Sequence, residues 1–469
     1  MSNPADEAAQ TELSERIDAA IAEGIRRGQA EAARQRLRAR RRLAAAAAAC
    51  VILLACLLSI RVSPVFASMM RDIPGMDRFV DLIRDTQDKG VRLAVDNDFV
   101  QPVGASDEHD GIRFTVQGII ADDSRMVVFY ETSSENESET VRLADIRPVD
   151  VSGKELPAMI SYRYLQEEEQ AANENGVYRG TVDISLAQED QLPEEIILRT
   201  RMIRSDGPER PDAPPTRNVR DDEWSVPSDR DAGGPEYQVR FRIDRAKFQH
   251  LRREYQLGET IVAEGQRITF AKAVVTPLRV SLYVDYGEAN PKQVFGAGDI
   301  RLVDDKGEVW ATTSSSLVKD HPVIYFESPY FTEPKALYAE GSWFRALDKD
   351  RMTVTVDLGK RKVVSAPDGK LALNGVQVGQ SRTRLDFFLT GVDPSDNMGY
   401  TLFESEFKDG TGKTRNMSDE GGVAVETRGD TREQHSYYYL DNADYPQPLT
   451  FKISLYPQYI RQPYKIRIK

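Results

Sequence analysis

The apolar and polar positions of this chain follow three patterns in succession. Over residues 1–42, Leu13, Ile17, Ile21 and Ile25 recur at intervals of four, which predicts a polar helix with one narrow apolar stripe. The stretch Leu43–Ile60 then carries no charged side chain at all. From residue 97 onward, short alternating runs separated by turn residues predict a mainly β structure.

The uncharged stretch Leu43–Ile60 predicts a transmembrane helix. Its length as a helix is about 27 Å, close to the thickness of a hydrocarbon core of about 30 Å. Basic side chains before such a stretch mark the cytoplasmic side and anchor at lipid headgroups. We therefore expect a single-pass protein of the plasma membrane, with its N-terminus in the cytoplasm and residues 61–469 outside. The predicted anchoring residues are Arg38, Arg40, Arg41 and Arg42.

Two other interpretations of Leu43–Ile60 remain open. A cleaved signal peptide would use the small residues around Val65–Ala67 as its cleavage site. A buried helix of a soluble domain is the third possibility. The 42 residues before the stretch, and its length, favour an uncleaved anchor, because signal peptides have short basic regions and apolar regions of about 7–15 residues.

Three stretches that begin at Gly111, Gly265 and Gly369 resemble one another. Each has a glycine turn, an alternating strand, a polar turn and a more apolar strand. A unit that recurs every 105–155 residues or so suits tandem β-sandwiches of immunoglobulin size. We therefore predict two or three immunoglobulin-like sandwiches, with the boundaries 97–245, 256–365 and 366–469.

The segments between these units have their own expected structure. Residues 61–96 predict a juxtamembrane segment with a short helix around Met76–Ile83. Residues 205–236 are rich in Pro, Asp, Gly and Arg, which predicts a disordered insertion in the first sandwich. The following strand Tyr237–Ile243 is expected to complete that sandwich, and Arg245–Tyr255 is expected to be a connecting helix.

Charge and cysteine content limit the partners and the compartment. The net charge of −13 at pH 7 argues against nucleic-acid binding. The two cysteines, Cys50 and Cys56, both lie inside the apolar stretch. The outer region therefore has no disulfide, which is typical of a bacterial protein whose large domains fold on their cores alone.

No residue pattern predicts catalysis or a bound metal, so we expect a protein that is not an enzyme and has no cofactor. The histidines are far apart in sequence, at positions His109, His250, His321 and His435. Ser316 and Lys319 match a Ser-x-x-Lys pattern without its companion motifs, and Gly296 and Gly298 lack the context of a dinucleotide site.

Two acidic clusters and a group of tyrosines leave alternatives open. Calcium binding by oxygen ligands competes with turn formation for Asp393, Asp396 and Asn397, and for Asp441, Asn442 and Asp444. Stacking on sugars competes with covering of sheet faces for Tyr437, Tyr438, Tyr439, Tyr445, Tyr456, Tyr459 and Tyr464.

Several segments resemble two families of bacterial proteins. The runs Ile60–Ser68, Ile73–Met76, Asp96–Gly104 and His109–Glu131 are similar to the domain-of-unknown-function 4179 family of membrane proteins, which is common in Firmicutes such as Paenibacillus. The region Gly265–Tyr286 and the run Lys306–Trp310 are similar to uncharacterised domain family 5643, which often follows it.

The first resemblance implies an anti-sigma-factor-like regulator. Members of that family are often encoded beside extracytoplasmic-function sigma factors, so the cytoplasmic helix would hold a sigma factor and the outer units would act as a sensor. The chain lacks the zinc-binding His-x-x-x-Cys-x-x-Cys element in residues 1–42, which leaves the stripe Leu13, Ile17, Ile21 and Ile25 as the partner-binding surface. The alternative is a cell-surface protein that binds wall polymer or another protein and has no signalling role.

Overall fold

The computed structural model describes residues 88–136, 139–164, 177–186, 192–206, 234–316, 321–418, 421–428 and 431–469. In these ranges the protein is mainly β, with one α-helix, α1 (Lys89–Asp96), and several antiparallel sheets. No helix in the described ranges is long and apolar enough to cross a membrane. The predicted transmembrane stretch 43–60 and the predicted site residues lie outside these ranges, namely Leu13, Ile17, Ile21, Ile25, Arg38, Arg40, Arg41 and Arg42.

The first β unit is formed by the strands of residues 101–242. These are β1 (Gln101–His109), β2 (Ile112–Ala121), β3 (Arg125–Ser134), β4 (Glu139–Val149), β5 (Ala158–Tyr164), β6 (Val177–Leu186), β7 (Glu195–Asp206) and β8 (Tyr237–Arg242). One sheet has the order β1-β2-β3-β6-β5 and the other β4-β7-β8. Both sheets contribute fully buried apolar side chains, such as Val128 and Leu198.

The remaining strands follow a short 3-10 helix, Arg245–Lys247. They are β9 (Arg253–Ala263), β10 (Gln266–Val275), β11 (Val280–Asp285), β12 (Lys292–Ala297), β13 (Arg301–Asp304), β14 (Val309–Trp310), β15 (Thr312–Ser315), β16 (Val323–Phe326), β17 (Leu337–Asp348), β18 (Thr353–Asp357), β19 (Lys362–Ser365), β20 (Leu371–Val378), β21 (Arg382–Val392), β22 (Phe403–Lys408), β23 (Thr414–Asn416), β24 (Gly421–Arg428), β25 (Thr431–Asp441), β26 (Leu449–Ile453) and β27 (Tyr459–Arg467). Two further 3-10 helices are Tyr330–Thr332 and Lys349–Arg351.

The second β unit joins two sheets around one core. One sheet has the order β15-β16-β11-β10-β9, and the other has β12-β17-β13-β14 with β27 also paired to β17. Alternation places every second side chain on the core side of a strand, so Ile268 and Phe270 of β10 are buried while Arg267 is exposed. These side chains belong to a cluster that includes Phe344 and Ile466 of the facing sheet.

The third β unit is built in the same way. Its sheets have the orders β19-β18-β26-β22-β23 and β20-β21-β25-β24. Leu385 and Phe387 of one sheet pack in a single cluster with Val354 and Phe451 of the other. The rings of Phe387, Phe403 and Phe451 meet with centroid distances of 4.9–6.0 Å, which is the normal range for favourable aromatic pairs.

The three similar stretches of the sequence form equivalent hairpins, β2–β3, β10–β11 and β20–β21. In each hairpin the second strand also pairs with a later antiparallel strand, which is β6, β16 or β25. The ladder shifts register inside each hairpin, between Val116 and Gly118, Phe270 and Lys272, or Leu373 and Gly375. The recurrence in sequence therefore corresponds to a recurring structural unit.

The third β unit is inserted between the last two strands of the second unit. After β17 the chain passes through Lys349–Arg351 into β18, which pairs with β26 of the third unit, where Val354 lies opposite Phe451. After β26 the chain returns as β27, which pairs with β17 of the second unit, where Ile466 lies opposite Ala339. The pairing thus assigns 353–365 to the third unit and 459–467 to the second, unlike the expected boundary at 365/366.

The connecting segments differ in part from those that the sequence predicted. β8 pairs with β7 and completes the first unit, as expected for Tyr237–Ile243. The expected helix Arg245–Tyr255 was wrong, because only the 3-10 turn Arg245–Lys247 forms before β9 begins at Arg253. The predicted helix at Met76–Ile83 and residues 207–233 of the predicted insertion lie outside the described ranges, and α1 begins later, at Lys89.

Candidate functional site

Helix α1 is the first element in the described part of the chain, which begins at residue 88. Asp88 caps its N-terminus, because its Oδ1 accepts a hydrogen bond of 3.1 Å from the backbone N–H of Val91. The helix ends where the side-chain amide of Asn97 donates to the carbonyl of Leu93 at 2.8 Å. One face of the helix is buried and consists of Gly90, Val91, Ala94 and Val95.

Lys89 fixes the start of α1 to the second β unit. Its backbone N–H donates to Oε1 of Glu327 at 3.0 Å, and its Nζ donates to the carbonyl of Val309 at 2.8 Å. Lys89 also forms an ion pair with Glu308. Glu327 is only 5% exposed, and its second oxygen accepts from the backbone N–H of Ala311 at 2.9 Å. Glu327 therefore joins the helix to the end of β16.

Arg125 connects the helix to both units. Its Nη1 donates to Oδ2 of Asp88 at 2.7 Å and to the carbonyl of Leu278 at 3.1 Å, while Nη2 donates to Oδ2 of Asp183 at 2.5 Å. Burial alone would lower the pKa of Arg125, but the charges of Asp183 and Asp88 raise it above its usual value. The guanidinium therefore stays charged. It lies between two carboxylates and links the chain segments that contain Asp88, Asp183 and Leu278.

Asp122 provides the second direct contact between the first two units. Its Oδ1 accepts hydrogen bonds from the N–H and the hydroxyl of Ser124, which close the β2–β3 turn. Its Oδ2 accepts from the backbone N–H of Leu278, in the β10–β11 turn, at 2.9 Å. Asp122 is 1% exposed, so both of its oxygens are used in a buried environment.

Gly90 permits the close approach of α1 to the second unit. A Cβ atom at this position would lie 2.8 Å from the backbone N of Ser328 and 3.4 Å from the carbonyl oxygen of Leu278. Neither of these backbone atoms can turn away as a flexible side chain could. Glycine is therefore required by the packing here, even though its helix propensity is poor.

We call this set of contacts the helix junction, formed by Asp88, Lys89, Gly90, Asp122, Arg125, Asp183, Leu278 and Glu327. It contains buried charges that are paired and carries no arrangement of nucleophile and base. Removing one member of a buried ion pair costs about 3–5 kcal/mol, because its partner is left without a counter-charge. The helix junction therefore holds the start of α1 against both β units.

A second buried ion pair connects the second and third units. Arg345 of β17 contacts Asp396 with Nη2–Oδ1 at 2.5 Å, and the two side chains are 7% and 0% exposed. Asp396 also accepts from the hydroxyls of Tyr400 and Tyr459, the latter at 3.1 Å. Burial raises the pKa of Asp396, but hydrogen bonds from Arg345 and Tyr400 and the charge of Arg345 lower it below its usual value.

The structure assigns other roles to the acidic clusters considered as calcium sites. Asp396 is the ion-pair partner of Arg345, and Asp393 pairs with Arg461 and binds Ser395. Asn442 bridges the β20–β21 turn, where its side-chain amide donates to Gly379 at 2.8 Å. Among the described residues no group of three His, Cys, Asp or Glu side chains is placed to hold a metal ion.

The other candidate residues lie apart from one another. His109 contacts Asp107 in the first unit, His321 lies near Asp285 in the second, and His435 contacts Asp386 in the third. The hydroxyl of Ser316 accepts from the backbone N–H of Val323 at 2.8 Å, and Lys319 lies outside the described ranges. The ring of Trp343 packs on the Cα of Gly298, where a Cβ would lie 2.2 Å from the ring.

The tyrosines divide between core and surface. Tyr456 and Tyr464 are buried, and the ring of Tyr464 stacks on Phe344 at 4.9 Å, so it cannot stack on a sugar. Burial raises the pKa of Tyr438 to about 12, whereas Tyr437 faces outward beside His435. Tyr459 binds Asp396, Tyr445 packs on Phe407, and Tyr439 is half-buried.

Few features of the sequence indicate the helix junction. The polar residues around Asp122 predict only a turn, and Lys89 and Gly90 fall within the predicted juxtamembrane segment 61–96. The one available signal was an arginine, Arg125, directly before the apolar run Met126–Tyr130. A charged residue at the start of a buried strand needs a partner, but the partners Asp88 and Asp183 are 37 and 58 residues away.

Comparison with known proteins supports the resemblance noted in the sequence. Residues 36–134 match the model of a domain of unknown function, DUF4179, and residues 252–364 match a family of unknown function, DUF5643. No curated protein matches the chain significantly. The crystal structure of the conserved domain protein from Bacillus anthracis is similar at 12% identity over 57% of this chain and 84% of that chain, with a TM-score of 0.34. The chain thus carries a DUF4179 region followed by a DUF5643 region, in the order that the sequence predicted.

Proposed function

We propose that this chain is a single-pass regulator of the plasma membrane whose β units form an extracellular sensing region. Its N-terminal arm lies in the cytoplasm and binds a partner, an extracytoplasmic-function sigma factor. The function is regulation by binding and involves no catalysis, cofactor or nucleic acid. The observation that carries the proposal is the helix junction, which ties the first described element after residues 1–87 to two β units at once.

The mechanism assigned to the helix junction is mechanical coupling. A ligand or force that separates the first two units would break the contacts of Arg125 and Glu327 with the start of α1. The segment before Asp88 would then be free to move or to be cleaved, and the partner would be released. Buried ion pairs suit such a role because both charges regain their hydration when the pair opens to water, which offsets much of the lost attraction.

We further propose that the three units are variants of the immunoglobulin-like sandwich. The support is the strand order, in which β2-β3-β6-β5 faces β4-β7-β8. This order corresponds to the ABED and CFG sheets of that architecture. The second unit has the equivalent order β10-β11-β16-β15, and the third has β20-β21-β25-β24.

The experiment that tests the regulator proposal replaces the apolar stripe of the arm in the full chain. Alanine at Leu13, Ile17, Ile21 and Ile25 should abolish co-purification of the sigma factor and release its transcription. The matched control places alanine at Glu15 and Arg26, which lie on the opposite face of the predicted helix. Unchanged transcription in the stripe variant would refute the proposal.

A second candidate function is binding of wall polymer or another protein at the outer face of the third unit. Phe388 and His435 lie side by side there with ring centroids 4.8 Å apart, and the guanidinium of Arg384 lies 4.0 Å from the ring of Tyr437. Half-exposed aromatic and charged side chains of this kind suit adhesion. Retention of the full chain on purified wall material, and its loss in Tyr437→Ala but not in Tyr445→Ala, would favour this function.

A further inference from the structure

The outer face of the sheet β4-β7-β8 is rich in arginine. Side chains of these strands alternate between the core and the outer face, so Leu198 and Val239 point inward while Arg199 and Arg240 point outward. We call the outward set the arginine face. It consists of Arg142 and Arg147 of β4, Arg199 and Arg201 of β7, and Arg240 and Arg242 of β8.

The strand register brings these arginines into one band across the sheet. Arg147 of β4 lies opposite Arg199 of β7, and Arg240 of β8 lies opposite Ile197, two residues before Arg199. Neighbouring strands are about 4.8 Å apart, and alternate side chains of one strand are about 7 Å apart. Each guanidinium therefore has others close enough to contact the same extended ligand.

The arginine face is open to solvent and keeps an excess of positive charge. The side chains of Arg147, Arg199, Arg201 and Arg240 are 30%, 28%, 36% and 59% exposed. The three strands carry seven arginines and four acidic residues, which is an excess of three positive charges. The chain as a whole has a net charge of −13, so this sheet is a local reversal of its charge.

We propose that the arginine face binds a linear polymer whose units are joined by phosphodiester groups, such as poly(glycerol phosphate). A guanidinium offers paired donors that match two oxygens of one phosphate, and a flat band of guanidinium groups can contact successive phosphates of one chain. Tyr237 and Phe241 of β8 point into the core, and the three strands place no aromatic side chain on this face.

The absence of aromatic side chains from these strands favours a polymer over a lipid surface, because proteins that lie on a membrane bury apolar side chains in it. Access to such a polymer rests on the extracellular position of the β units proposed above. The binding itself does not depend on the cytoplasmic arm. A binding experiment with purified protein can therefore fail or succeed independently of the sigma-factor experiment.

The test measures binding of a fluorescent poly(glycerol phosphate) oligomer to the purified full chain in uncharged detergent, by fluorescence anisotropy. If about three phosphates are neutralised, the affinity should fall about tenfold between about 50 and 200 mM salt. Arg199→Gln combined with Arg240→Gln should weaken binding about tenfold. The matched control is Arg267→Gln combined with Arg301→Gln, which removes two exposed arginines of the second unit and should bind like the native chain.

Glu195→Gln tests the proposal in the opposite direction. Oε1 of Glu195 accepts from Nε of Arg240 at 2.7 Å, so this carboxylate neutralises part of the arginine face. Its removal frees the guanidinium and should strengthen binding several-fold, whereas damage to the sheet would weaken binding. Urea titration of each variant checks that it is folded. If the double variant does not fold, the result with Glu195→Gln decides.

Two competitors identify the source of the bound anion. Glycerophosphoglycerol, the phosphodiester headgroup of a lipid, should displace the oligomer only at a much higher phosphate concentration, because it cannot contact several arginines at once. Polyglutamate should displace it several-fold less well, because its carboxylates lie on flexible side chains that lose more freedom on binding. The proposal is overturned if the oligomer does not bind, if a folded double variant binds like the native chain, if Glu195→Gln does not strengthen binding, or if either competitor matches the oligomer per charge.

Discussion

Replacement of Ile466 by alanine should loosen the second β unit, although Ile466 follows the whole third unit in sequence. Ile466 is 2% exposed and belongs to the core of the second unit. The change removes roughly three methylene-sized groups, each worth about 0.8 kcal/mol on burial. With the cavity that remains, the expected loss is about 3 kcal/mol.

Hydrogen exchange followed by mass spectrometry can localise this loss. A destabilisation of about 3 kcal/mol should speed the exchange of amides that exchange through opening of the unit by about 100-fold. The affected peptides should come from β10 and β11, and those from β21 and β25 should change little. Fluorescence gives a second readout, because Trp310 and Trp343 are both buried in the second unit.

The matched control is Val354→Ala in β18, which precedes the expected boundary but packs in the core of the third unit. This change should speed the amide exchange of β21 and β25 and leave the amide exchange of β10 and β11 unchanged. The opposite pattern, or equal loss of protection in both units from either change, would refute the assignment of β27 to the second unit and β18 to the third.

Three other changes test the ion pairs and the helix junction. Arg125→Met should lower the free energy of unfolding by about 3–5 kcal/mol in urea titrations, because Asp88 and Asp183 lose their counter-charge; a loss below 1 kcal/mol would contradict the pairing. Gly90→Ala should speed amide exchange in α1 without changing the third unit, since the new Cβ would meet the backbone of Ser328, and unchanged exchange at Val91 would argue against this contact. The lowered pKa of Asp396 means that its ionised form stabilises the protein above its unfolded value of 3.8 and that this contribution is lost as the pH falls through the lower folded value. The difference in stability between the native chain and Asp396→Asn should therefore shrink below pH 3.8, and a difference that stays constant down to pH 2 would show that Asp396 does not titrate in this way.

Much of the local structure could be predicted from the alternation of side chains. The runs around Ile268 and Leu385 bury every second residue, so their strand character and their inner face follow from the sequence alone. The similar stretches at Gly111, Gly265 and Gly369 predicted a repeated unit, and they form equivalent hairpins. The two domain families were also identified from short motifs, and both are present.

The candidate site could not be predicted in the same way. The turn character of Asp122 follows from its neighbours, but its contact with Leu278 spans 156 residues. Asp396 likewise has the sequence of a turn, and only the fold places it against Arg345, 51 residues earlier. Long-range partners of this kind depend on how separate units pack, which no local pattern encodes.

The sequence by itself determined that this chain forms strands, which face of each strand is apolar, and which hairpin recurs. Only the tertiary structure decided which sheet each strand joins. β18 and β27 both carry apolar side chains on one face, and this pattern alone does not say which core the face enters. The partners of both strands lie far away in the sequence, with Val354 opposite Phe451 and Ile466 opposite Ala339, so only the packing of the folded chain places β18 in the third unit and β27 in the second.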